Sequence, residues 1–345
     1  MHNRQSSRAI ARLFKFLAIT TILALGTSAW AGPAVPPLEL LFAPESRLVM
    51  GTLVEINPAG RLVFKREKVF GTHKDVPELV DAAVTSNALE DARLQKRYIV
   101  GYTTFQNDRQ YPAGITPPRK ATNVISSSGL DPAVFRDSPE LRRILDRAAS
   151  ERGRESRALR RLLLQTFATD DAALQRLAAA QFALDASMSG KLDAADRAIL
   201  QRAALSDKTN PTTRSLLITA AADRPDDFGP WAAEAINKVL EITPVDGYPS
   251  ETRGPAGLVL LAFDEASDRG VHVPFASLTR WLRSPQRLYL ERASGLIESM
   301  YRGRAKAAYE EVLGDAGADP AARQFLEARL HDTERFNAAP ETPSN

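Results

Sequence analysis

Four arginines, Arg154, Arg157, Arg160 and Arg161, fall within eight residues. A guanidinium is a rigid planar fork of donors that matches carboxylates and phosphates, so the chemistry this segment offers is anion recognition. A leucine stripe beginning at Leu159 places the four on the polar side of a helix. Arginine near a helix N-terminus opposes the helix dipole, a small local cost that a partner's carboxylates would offset. The plain alternative is a solvated charged face. A second constellation, Lys96, Arg97, Tyr98, Tyr102, Phe105 and Tyr111, interleaves bases with aromatics as nucleobase-stacking strands do. Tyr98 and Tyr102 share one face of a strand and Phe105 takes the other. Packed core is the better reading of these aromatics.

Other chemistry is sparse. The chain has no cysteine, which excludes disulfide frameworks, cysteine-ligated zinc and iron-sulfur clusters. It lacks a nucleophile elbow, a zinc-binding H-E-x-x-H helix, a phosphate-binding P-loop and an EF-hand loop. Beyond residue 31 the histidines are His73, His272 and His331, each in a different segment. His331 and Glu334 have helical i, i+3 spacing, yet two ligands fall short of a stable metal site. Asp170-Asp171, Asp226-Asp227 and Glu310-Glu311 read as caps or exposed faces, with Asp171 suited to a helix N-terminus. No catalytic residue, metal or cofactor is implied.

The N-terminus reads as an address. Arg4, Arg8, Arg12 and Lys15 precede the apolar run 16–25, and Ala29-Trp30-Ala31 follows it. That is the pattern of a secretory signal peptide over 1–31, with cleavage between Ala31 and Gly32. The apolar run is about half the length a membrane-spanning helix needs; an uncleaved N-terminal anchor is the alternative. The whole chain has 45 Lys and Arg, 42 Asp and Glu, and net charge +3. Removing the four basic residues of 1–31 leaves 41 against 42, so no field remains to attract a nucleic-acid backbone. The expected location is the periplasm or beyond, with no membrane anchor after cleavage.

Two periods divide the rest. Residues 47–56 and 61–70 read as strands flanking the turn Asn57-Pro58-Ala59-Gly60, and 97–105 has the strongest strand composition. Weaker strands fall near 78–84 and 121–127. Four or five short strands over 32–130 predict a small antiparallel barrel or sandwich, similar to an OB-type barrel. From about Asp131 the period is helical, with stripes such as Leu141, Ile144, Leu145, Ala148 and Ala232, Ile236, Val239, Leu240. Breaks at Gly and Pro divide 131–336 into ten or eleven helices, and 337–345 reads as a disordered tail.

Several helices open alike. Ser138-Pro139-x-x-Arg142, Asn210-Pro211-x-x-Arg214 and Asp319-Pro320-x-x-Arg323 each combine a capping residue, a proline at the first helical position and an arginine three residues on. Their starts lie about 72 and 109 residues apart, near two and three units of 36; Ser284-Pro285-Gln286-Arg287 is an imperfect copy. On these residues 138–336 resembles HEAT-like helix-pair repeats. The resemblance implies an extended array with long grooves, the alternative being a compact helical bundle. The fold class expected is therefore α+β. The function expected is an exported, non-enzymatic interaction or scaffold protein that binds a protein or envelope polymer through its helical surface. The alternative is a periplasmic hydrolase with its site where the β domain meets the first helices.

Overall fold

The computed structural model describes residues 35–57, 60–71, 73–84, 88–89, 92–105, 121–127, 129–130, 132–151, 156–245 and 254–338. The proposed signal peptide, its junction Ala31-Gly32, Arg154, Tyr111 and the tail from 339 lie outside them.

A short helix α1 (Pro37–Leu41) precedes the strands β1 (Ser46–Asn57), β2 (Arg61–Phe70), β3 (Leu79–Ala83), β4 (Arg97–Phe105), β5 (Ala121–Val124) and β6 (Val134–Arg136). β1 pairs with β2 on one side and β4 on the other, which closes the order β1-β2-β3-β5-β4 into a five-stranded barrel. Register shifts at Met50/Gly51 and Leu53/Glu55 bend β1 so that one strand can serve both neighbours. The barrel departs from a purely antiparallel arrangement at one place, where β3 meets β5 in parallel at Ala83 and Asn123. β6 adds to β4 outside the closed ring. It starts at Val134, beyond the residue 131 expected for the change of period, and the first helix after it starts at Pro139. Three residues after a proline carry too little pattern to be read as a strand.

The pleat divides the barrel's apolar residues between two cores. Val49, Leu53, Phe64, Tyr98, Val100 and Tyr102 fill the interior. Leu48, Met50, Ile99 and Phe135 face the other way and join a core shared with Leu141, Ile144 and Leu145 of the first long helix. The junction of barrel and helices is thus filled by apolar side chains. α1 is buried there too, with Leu38 and Leu41 in the core and the Leu38 amide donating to Gln181 Oε1 at 3.0 Å. Gly101 permits this, since a Cβ there would lie 2.5 Å from Leu41.

The helices follow as α2 (Pro139–Ser150), α3 (Arg157–Thr166), α4 (Ala172–Leu184), the single turn α5 (Ala186–Ser189), α6 (Ala194–Leu205), α7 (Pro211–Asp223), the single turn α8 (Pro225–Phe228), α9 (Ala232–Ile242), α10 (Pro255–Arg269), α11 (Phe275–Trp281), α12 (Arg287–Met300), α13 (Arg302–Gly314) and α14 (Pro320–Ala338). Apart from the two single turns these are the ten or eleven expected. They pack as successive pairs, α3/α4, α6/α7, α9/α10, α11/α12 and α13/α14. Each pair also packs on the next: α4 on α7, α7 on α10 and α10 on α12 in one layer, α3 on α6, α6 on α9 and α9 on α11 in the other. No helix among the described residues is long and apolar enough to cross a membrane.

The repeated helix starts cap as their residue types require. Ser138 accepts from the Leu141 amide at 3.2 Å, Asn210 from Thr212 at 2.9 Å and Asp319 from Ala321 at 2.8 Å. Asp171 caps α4 in the same manner, accepting from Ala173 and Leu174. The arginine three residues on reaches backward in all three copies, Arg142 to the Asp137 carboxylate, Arg214 to the Ala204 carbonyl at 2.9 Å and Arg323 to the Asp315 carbonyl at 2.7 Å. The imperfect copy at Ser284 differs, because α12 begins only at Arg287 and that arginine pairs with Glu291 on the surface.

That backward reach is general in the array. Arg224 donates to the Phe182 and Ala183 carbonyls at the end of α4, Arg269 to Ala222 at the end of α7, and Arg280 to Leu240 and Thr243 at the end of α9. The last carbonyls of a helix lack internal donors and carry partial negative charge. An arginine from elsewhere in the array satisfies both needs and ties the units together.

Candidate functional site

The site grows from two helices of one layer. Ser156 starts α3 by accepting from the Leu159 amide at 3.0 Å, and no acidic residue occupies the first turn. Leu159, Leu163 and Leu164 turn into the core. Asp193 starts α6, accepting from Ala195 and Asp196 amides, while Asp196 returns a carboxylate toward the Asp193 amide. The Asp196 amide foremost, then that of Ala195, holds the Asp193 carboxyl below its ordinary pKa, with Arg157 and Arg160 contributing.

The structure separates the expected arginines. Arg157 and Arg161 are exposed, but Arg160 is 8% exposed and its Nε lies 3.3 Å from Asp196 Oδ2 on α6. The reason is rotation: each helical residue turns about 100°, so i and i+4 share a face while the residue between them points to a neighbour. Arg160 therefore stitches α3 to α6, and the surface pair is Arg157 and Arg161.

Between α3 and α6 lies an open groove of about 660 Å³. Leu164, Phe167, Ile199 and Ala203 form an apolar floor, and Arg161 and Arg202 stand at its edge. Both arginines are exposed, and neither has a carboxylate partner among the described residues. Asp196 also lines the groove, but Arg160 neutralises it. The groove lies where one layer of helices packs less closely than the other. α4 and α7 pack over an extensive contact, whereas α3 and α6 touch only sparingly and Leu164, Phe167 and Ile199 line the space between them. Arg202, Ile199 and Phe167 were not legible as site residues. The α6 wall lies some forty residues beyond the arginine cluster, and no spacing rule connects the two.

The second constellation is divided: Tyr98 and Tyr102 are core, while Lys96 and Arg97 are exposed, Arg97 pairing with Glu67. Tyr98 and Tyr102 lie in the barrel interior, Tyr98 edge-on to Phe64 at 5.9 Å with its hydroxyl accepting from the Arg93 amide at 2.9 Å. Burial foremost pushes the Tyr102 hydroxyl up to about 12, with Arg47 opposing. Neither ring is presented to a ligand. His272 Nε2 is 2.9 Å from the Tyr301 hydroxyl, which donates to the Val273 carbonyl at 2.8 Å. The two contacts clasp the turn before α11. His331 is exposed on α14, and no cluster of three metal-binding side chains occurs among the described residues.

Comparison of the chain with protein families, with curated proteins and with solved structures finds no match.

Proposed function

We propose that this is an exported, non-enzymatic interaction protein that binds a protein or envelope polymer through its helical array. The observation that carries the reading is the groove between α3 and α6, an apolar floor with two guanidiniums at its edge that have no carboxylate partner among the described residues. A binding surface of this kind is what stacked helix pairs offer, and their two-layer succession resembles that of HEAT-like repeats. The barrel, with its ring order β1-β2-β3-β5-β4 and one parallel pairing, is similar to OB-type barrels and serves as the docked N-terminal module. The apolar packing at the junction of barrel and helices favours this reading over a hydrolase sited there.

Export rests on the basic, apolar and A-x-A pattern of residues 1–31. N-terminal sequencing of the protein from its native envelope should begin at Gly32; a start at Met1 in the membrane fraction supports the anchored form instead. Gentle cross-linking in the native host should recover a partner, and Arg157→Glu with Arg161→Glu should weaken that capture with little change in melting temperature. Turnover of a hydrolase substrate, abolished by one carboxylate or histidine substitution, would replace the reading with an enzymatic one.

A further inference from the structure

We infer that the groove between α3 and α6 takes an acidic, amphipathic segment of a partner protein, its apolar side chains on the floor and its carboxylates on Arg161 and Arg202. This deepens the proposed function and rests on it. The argument is one of charge and shape. Asp196, the one acidic group lining the groove among the described residues, is paired with Arg160 at 3.3 Å and oriented by the capping box of α6. Arg161 and Arg202 form no ion pair among the described residues, so their charge is available to a ligand. Arg157, one turn before Arg161 on the same exposed face, extends it beyond the groove.

The floor decides between anions. A polybasic membrane site typically gathers four to eight lysines and arginines over a surface. Here two arginines border a recess of Leu164, Phe167, Ile199 and Ala203. A recess of about 660 Å³ falls within the usual range of ligand sites, roughly 300–1,000 Å³, and seats a few side chains rather than a bilayer surface. Apolar anchors flanked by carboxylates fit both parts, and the planar forks of Arg161 and Arg202 can each hold a carboxylate in two parallel bonds. The groove is also a built feature. The two layers pack unequally, extensively between α4 and α7 and sparingly between α3 and α6, and the recess stands open in the folded chain.

The test uses a displayed random-peptide library against the full chain, expressed with its own N-terminus. Selected peptides should combine Leu, Phe or Met with at least two Asp or Glu. A synthetic peptide of the consensus should bind the wild type and lose at least tenfold in affinity on Arg161→Glu with Arg202→Glu. Ile199→Glu on the floor should lose as much, and Arg161→Gln with Arg202→Gln less. Circular dichroism and melting temperature check that each variant is folded; should Ile199→Glu unfold, the rim variants decide alone. Peptides without the acidic pattern, no selection at all, or equal binding to the reversed rim would overturn the inference. Vesicles of phosphatidylglycerol and phosphatidylethanolamine form a parallel arm. Vesicle binding lost with the rim reversal, in the absence of peptide binding, would assign the groove to lipid phosphate and overturn it as well. A native partner that cross-links to wild type and reversed rim alike would keep the interaction reading and remove this one. Absence of any partner would remove both.

Discussion

Arg224 tests whether arginines that cross from one unit to another hold the array together. Its Nη2 donates to the Phe182 carbonyl at 3.0 Å and the Ala183 carbonyl at 2.5 Å, and its Nη1 to Ser189 Oγ at 2.7 Å. Asp227 stands 3.8 Å away, and the guanidinium lies over the Phe228 ring at 5.1 Å. Burial lowers the Arg224 pKa from its ordinary value, so enclosure costs something and the bonds must exceed that cost. A hydrogen bond to a charged group contributes about 1.5–3 kcal/mol net, and a buried carbonyl left without a donor costs about 1–3 kcal/mol. With the side chain 25% exposed, water can replace part of the loss. Arg224→Met, which keeps the aliphatic stem over Phe228, should therefore cost about 2–4 kcal/mol. The corresponding fall in Tm is roughly 3–6 °C for a chain of this length. Arg224→Lys should fall between, since a point charge cannot span two carbonyls and a hydroxyl at once. Arg161→Met, at an exposed edge, should stay within about 0.5 kcal/mol of wild type. Denaturant unfolding gives the energies, and hydrogen exchange at the end of α4 locates the effect. A loss for Arg224→Met no larger than that for Arg161→Met would refute the idea that these arginines are structural ties.

Further expectations follow from other contacts. Gly129 has φ +82°, and a Cβ there would lie 2.3 Å from the Ala180 Cβ, so Gly129→Ala should destabilise by about 2–4 kcal/mol, from both strain and clash. Adding Ala180→Gly should recover only the clash, a difference that a double-mutant cycle by denaturant unfolding measures. Phe64→Ala, fully buried in the barrel, should cost about 3–5 kcal/mol by the same assay. Asp193 has a depressed folded pKa, so its contribution is present above the ordinary value of 3.8 and disappears as pH falls through the folded one. Stability measured between pH 5 and 2 should therefore fall less in Asp193→Asn, which keeps a capping oxygen but carries no charge, than in wild type.

What could be read from the chain was whatever local period encodes. The strands 47–56, 61–70 and 97–105 lie within one residue of the observed spans because alternation and β-branched residues act along a single strand. The stripe Leu141, Ile144, Leu145 and Ala148 is buried as the 3.6-residue period requires. Ser138, Asn210 and Asp319 cap because a side-chain oxygen needs only its own next amides. The role of the arginines that follow those caps was not legible: Arg214 finds Ala204 only once the loop between α6 and α7 has folded back.

The sequence by itself determined an α+β chain with a strand-forming first part and a helical second part, near neutral beyond residue 31. Only the tertiary structure decided that β4 returns to β1 to close a barrel, and that α1 is buried against α4. It also decided that Arg160 faces Asp196 while Arg161 faces Arg202 across an apolar groove. The physical reason is range. Caps, turns and periods are set by neighbours within about four residues, whereas the groove depends on how closely two helix layers approach. α4 and α7 pack extensively while α3 and α6 meet only sparingly, a difference that no local pattern around the arginines encodes.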